Sequence, residues 1–217
     1  MTDATTSLTR ADPLEGLQPL GDKGWWGGLA AAAATDDELK VIEHNRELLS
    51  RFAAAFRTRY YVSCWHMNAD VNPDMWRSYA SQPDSVALRT TYAKLRAALP
   101  AYVGIGMVRY IDYAKERLPT LNMFEYITHK NQCFAHEREL RAVAMHPVIE
   151  GLDQQHFRSH HFESEKSTSF RVYAPEVDLG QLLEAVVLHR DAPEDFGEIV
   201  ASLCIKAGLP APTRSAV

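Results

Sequence analysis

The sequence is poor in cysteine, with three in 217 residues (Cys64, Cys133 and Cys204) and no CxxC spacing. An odd, scattered set excludes a disulfide framework, and the apolar neighbourhoods of all three suggest reduced, buried thiols in a cytosolic setting. Surplus positive charge is also missing. With a net charge of -5 and an isoelectric point near 6.0, the chain has no basic patch to drive counterion release, so nucleic-acid scaffold binding is disfavoured. Long apolar runs are absent too, since Ala30 to Ala34 are too few to span a bilayer. The stretch MTDATTSLTRADPLEGL has acids and prolines where a secretion signal needs a basic start and an apolar core, so cytoplasmic residence is the expectation. No G-x-S-x-G elbow occurs. Gly104 and Gly106 do not make a dinucleotide fingerprint, because they sit inside a strand pattern with no third glycine opening a helix.

Residues 1–24 are polar and broken by Pro13, Gly16, Pro19 and Gly21, which reads as a loose arm. The expected organisation is an N-terminal arm over 1–35 and a single α/β domain over 36–217. Thr35 precedes three acids, and Leu39, Ile42, Leu49, Phe52 and Phe56 recur at helical spacing, predicting a helix that ends near residue 58. Strands are expected at 60–65, 85–89, 102–110, 170–173, 186–189 and 213–217. Helices are expected at 74–79, 91–99, 179–185 and 193–207, with one helical face running through 121–136. The predicted fold class is therefore α+β: one compact domain with a mixed sheet of at least five strands and flanking helices.

Within HKNQCFAHERELRAV, Glu137, Glu139 and Arg141 recur at every second position while Leu140, Ala142 and Ala144 take the alternate sites. On a strand the three charges would share one face and line a polar cleft. The predicted strand covers 138–145, preceded by a helix over most of 122–134. The bland alternative is an i, i+4 pair of Glu137 and Arg141 on a helix.

The strings SCWHMNADVNPDMWRSYA, SVALRTTYAKL, VGIGMVRYIDY and HKNQCFAHERELRAV, in that order, resemble the bacterial family called domain of unknown function 2971. The resemblance runs from about residue 60 to 144 and continues more weakly towards the C-terminus. It implies a fold without fixing an activity.

A second likeness lies in layout: His66 after the first strand, Thr90 and Thr91 after the second, and Glu-x-Glu on a late strand. This arrangement resembles ADP-ribosyltransferases, though without their H-G-T and S-T-S strings. It implies an NAD cleft in which Glu139 stabilises the positive charge developing on the ribose as the nicotinamide bond breaks. Glu137 would orient or deprotonate the acceptor, His66 would bond the adenosine ribose, and Trp76 or Tyr79 would stack on a flat ring. Asn68, Thr90, Thr91, Lys130 and Arg141 complete the expected ligand-binding set. The leading expectation is a nucleotide-binding or ADP-ribosyl-transferring bacterial protein, of the kind found among toxins, with NAD as ligand. The rival is a non-enzymatic sensor or interaction module of a bacterial stress or phage-defence system, in which Glu137, Glu139, Lys130 and Arg141 form a buried network. Open carboxylates would mark the first, and a cation within reach of both would mark the second. The loop over 154–169 holds His156, His160 and His161 with Glu163 and Glu165, but adjacent histidines without a rigid frame are expected to stay metal-free, as a mobile lid at most.

Overall fold

The computed structural model describes residues 1–3, 12–57, 59–69, 72–80, 82–118, 122–145 and 174–217. The expected strand at 170–173 and the histidine-rich loop lie outside them. The fold is α+β, as the interleaved patterns predict, but the expected sheet of five or more strands is replaced by three small ones. The first orders Thr2–Asp3, Tyr60–His66, Glu139–Met145 and Gly104–Met107, the second Val86–Arg89, Ala185–Leu188 and Thr213–Arg214, and the third pairs Arg109–Ile111 with His129–Asn131. The chain also divides into two compact units, Met1–His66 with Val103–Ala174 and Met67–Tyr102 with Pro175–Val217. The reason is that the segment after the first long strand pairs with the C-terminal region, so it builds its own sheet. No helix among the described residues is long and apolar enough to cross a membrane.

The first unit holds helices α1 (Leu20–Ala32), α2 (Asp36–Arg57) and α5 (Met123–Thr128). Its strands are β1 (Thr2–Asp3), β2 (Tyr60–His66), β4 (Gly104–Met107), β5 (Arg109–Ile111), β6 (His129–Asn131) and β7 (Glu139–Met145). Helix α2 starts as expected: Thr35 Oγ1 accepts the Glu38 N–H, and the Glu38 carboxylate reaches back to the Ala34 N–H. Three other expectations fail. The arm is not loose, because it contains α1 and buries Glu15, Gln18, Asp22 and Trp26. The strand expected at 102–110 is two strands. The helix expected over 122–134 stops at Thr128 and gives way to β6 and a 3-10 turn, Gln132–Glu137.

β2 and β7 form the antiparallel centre of the larger sheet, in a register that pairs Tyr60 with Met145, Val62 with Val143, Cys64 with Arg141 and His66 with Glu139. One face is thus apolar at one end and charged at the other. At the apolar end Tyr60, Val62, Ile127 and Val143 form a buried cluster with Phe124 and Met145 against it. Gly104 and Gly106 lie on this same face of β4, opposite Val143 and Arg141. A Cβ on Gly104 would stand 2.7 Å from Phe124 Cζ, and one on Gly106 would stand 3.1 Å from Thr128 Cγ2. The two strand glycines let α5 lie close on the sheet, which is how its last turn reaches the charged end.

The glycines of α1 divide by the same test. A Cβ on Gly21 would fall 2.1 Å from the backbone oxygen of Glu116, whereas Gly24 and Gly28 have nothing within 4 Å. Gly21→Ala is expected to destabilise by about 1–3 kcal/mol, since backbone atoms give way poorly. Gly24→Ala and Gly28→Ala should each stabilise by about 0.5–1 kcal/mol, because a helix interior favours alanine over glycine. Urea denaturation of the three variants checks both signs.

The second unit holds α3 (Pro73–Tyr79), β3 (Val86–Arg89), α4 (Tyr92–Ala98), α6 (Leu179–Leu182), β8 (Ala185–Leu188), α7 (Glu194–Lys206) and β9 (Thr213–Arg214). β8 pairs antiparallel with β3 and parallel with β9, and α7 makes the crossover that a parallel pair requires. Trp76, Leu95, Leu182, Val186, Val200 and Cys204 are buried within it.

Candidate functional site

The charged end of the β2–β7 face is a cluster of buried ionic groups. Arg141 is 0% exposed, and Lys130, Glu137 and Glu139 are nearly as deep. Glu139 and Arg141 leave β7 on one face, as the alternating pattern predicts. Glu137 does not belong to that strand, which corrects the expectation of three charges in one row. It is the last residue of the 3-10 turn, and Arg138 separates it from β7 in the left-handed region at φ 43°. That reversal lets Glu137 and Glu139 both face Lys130.

An exposed, non-glycine residue in this conformation is strained by about 1–2 kcal/mol. Arg138→Gly is therefore expected to leave stability unchanged or raise it, while the β-branched Arg138→Val lowers it by at least that amount. Denaturation midpoints of the two variants test this.

All three nitrogens of the Arg141 guanidinium donate. Nε donates to Glu139 at 3.1 Å, Nη2 donates to both Glu139 and Glu15, and Nη1 donates to the Ile127 carbonyl at 2.7 Å. The last of these caps a carbonyl near the C-terminus of α5, where the helix dipole favours a cation. Lys130 donates to Glu137, lies 3.8 Å from Glu139 Oε2 and 3.7 Å from Glu15 Oε2, and sits over the Phe134 ring. The Tyr110 hydroxyl accepts the Glu139 backbone N–H at 2.8 Å. His66 Nδ1 meets the Glu137 carbonyl, and its Nε2 is buried with no hydrogen-bond partner among the described residues.

Glu15 was not foreseen. It lies in the supposed arm, is 0% exposed, and joins Arg141 across 126 positions of sequence. A turn carries it inward: the Asp12 carboxylate accepts from Leu14 N, the Asp12 carbonyl accepts from Glu15 N, and Gly16 follows at φ 81°. The arm is pinned where Arg57 donates to the Pro13 carbonyl at 3.0 Å.

Three carboxylates thus face two cations. Burial raises the Glu15 carboxyl above its ordinary range, although Arg141 and Lys130 pull the other way. For Lys130, burial opposes the charged form, but Glu15, Glu139 and Glu137 together outweigh it and hold the ammonium above its usual value. Cys64 is exposed, contrary to expectation, as is Cys133. Desolvation of the Cys64 thiol on the side facing the cluster, and then the charge of Glu139, push it up to about 12.

The remaining expected site residues lie in the second unit. Trp76 is buried edge-to-face against His189 at 5.3 Å, so it belongs to the core and presents no open ring. Thr91 caps α4 by accepting Lys94 N–H at 3.3 Å, and the Thr90 hydroxyl donates to the Leu182 carbonyl. Asn68 is exposed and accepts from its neighbour Ala69 N–H, while Tyr79 is exposed at the end of α3. Of the ten expected residues, five meet in the cluster: His66, Lys130, Glu137, Glu139 and Arg141. Among the described residues no group of three or more His, Cys, Asp or Glu is arranged to hold a metal ion.

The chain matches no protein-family model, and no curated protein or solved structure is significantly similar to it.

Proposed function

We propose that this chain is a non-enzymatic sensor or interaction module whose Glu-x-Glu-x-Arg segment is the polar core of its first unit. The observation that carries this reading is that each carboxylate of the pair already has a cation: Glu137 has Lys130 and Glu139 has Arg141, all four buried. A carboxylate serving a developing ribose cation needs an open approach and an uncompensated charge at the reacting atom. Here the charge is spent inside the fold. Such a module would be one part of a bacterial stress or phage-defence system.

The NAD-cleaving reading draws on one observation, the buried Nε2 of His66 with no partner beside Glu139. Thermal shift with NAD, ADP-ribose and nucleotides separates the two. The module reading expects no shift in the wild-type protein and a lower melting temperature for Glu139→Gln. A saturable rise with NAD, lost in a Glu139→Gln variant of unchanged stability, would restore the transferase.

A further inference from the structure

The cluster members differ in origin. Lys130, Glu137, Glu139 and Arg141 come from one segment, β6 through β7, and balance one another, two cations against two carboxylates. Glu15 is the odd member. It arrives from irregular backbone, fully buried, with one oxygen on Arg141 Nη2 and the other 3.7 Å from Lys130 Nζ. That second oxygen accepts no hydrogen bond among the described residues. A carboxylate bridging a guanidinium and an ammonium in this way is what a bound organic acid would do. Arg57, Tyr113 and Cys64 also feel the charge of Glu15.

We propose that Arg141 and Lys130 form a carboxylate-binding seat which the strap of residues 12–18 fills with its own Glu15, and which takes a small free carboxylate when that side chain is withdrawn. The inference rests on the module reading and names the chemical class that the vacated seat accepts, a compact monocarboxylate. The seat is electrically balanced without Glu15, so a free anion is held by geometry and hydrogen bonds more than by net charge. The raised pKa of the Glu15 carboxyl agrees with this: the tether supplies, as effective concentration, what intrinsic affinity does not. Binding of an untethered acid is accordingly weak and calls for millimolar ligand.

Glu15→Ala retains Cβ and removes a group with the shape of acetate, so acetate is the fitting probe. Melting temperature is measured for Glu15→Ala, Glu15→Gln and wild type across an acetate series, with chloride at equal ionic strength. Acetate should recover most of what Glu15→Ala loses, saturably and beyond chloride. It should leave Glu15→Gln and the wild type unmoved, because their seats are filled. If Glu15→Ala is recovered unfolded, its refolding yield in acetate against chloride asks the same question. Equal effects of acetate and chloride in either format, or an equal acetate response in Glu15→Gln, would overturn the seat. The outcome is independent of the nucleotide experiment, which uses wild type and Glu139→Gln and no Glu15 variant, so failure of one is distinguishable from failure of the other.

Discussion

Replacing Arg141 with methionine is expected to lower stability by about 3–5 kcal/mol, the usual result of leaving buried charges without their partner. Methionine fills similar length but donates nothing. Glu139 loses its bonds from Nε and Nη2, Glu15 loses its hydrogen bond, and the Ile127 carbonyl at the end of α5 loses its cap. Since a domain typically has only about 5–15 kcal/mol in hand, the variant should unfold at markedly lower urea, if it folds at all. Adding Glu15→Gln and Glu139→Gln should recover part of the loss, because neutral amides are far cheaper to bury than unpaired carboxylates. A loss below about 1 kcal/mol would mean that the cluster is hydrated and open.

The second large effect is alkaline. Lys130→Met should cost about 3 kcal/mol at neutral pH by removing the buried ammonium that pairs with Glu137. It should also weaken the pH dependence above 10.5, the ordinary lysine value. The sign follows from the folded ammonium being held above that value: its contribution is complete below 10.5 and is lost as pH rises through the higher folded pKa. Over that window one retained proton gives a slope of about 1.4 kcal/mol per pH unit. The buried tyrosines Tyr60, Tyr113 and Tyr126 are raised by burial and act in the same direction, so the variant keeps a shallower limb. Glu15, also raised, works at the acid end, contributing fully below about 4.5 and fading above it. Denaturation midpoints from pH 4 to pH 11.5 would resolve both limbs.

What could be read from the sequence was what local pattern determines. The α2 cap at Thr35, the strand beginning at Tyr60 and the alternation of Glu139 and Arg141 against Leu140 and Ala142 follow from spacing alone. The helix after Pro193 was foreseen in the same way. Long-range pairing was not legible. Glu15 sits in D-P-L-E-G, which reads as a turn, and nothing nearby announces a partner 126 residues on. Glu137 was placed on the strand because alternation continues through it, whereas the left-handed Arg138 breaks the strand one residue later. The single large sheet failed for a similar reason, since strand propensity does not say which strands pair. Analogy of layout assigns binding roles to Trp76 and the threonine pair, whereas packing and capping depend on the neighbours that α3 and α4 acquire in the fold.

The most direct test of the cluster as a structural core is a double-mutant cycle between Glu139→Gln and Arg141→Met, read by urea denaturation. Side chains bonded through two donors inside the fold should be strongly coupled, so the double variant should be more stable than the sum of the single losses requires, by about 1.5–3 kcal/mol. Additive losses, with a coupling inside about 0.5 kcal/mol, would contradict the account and return Glu139 to the role of an open, functional carboxylate.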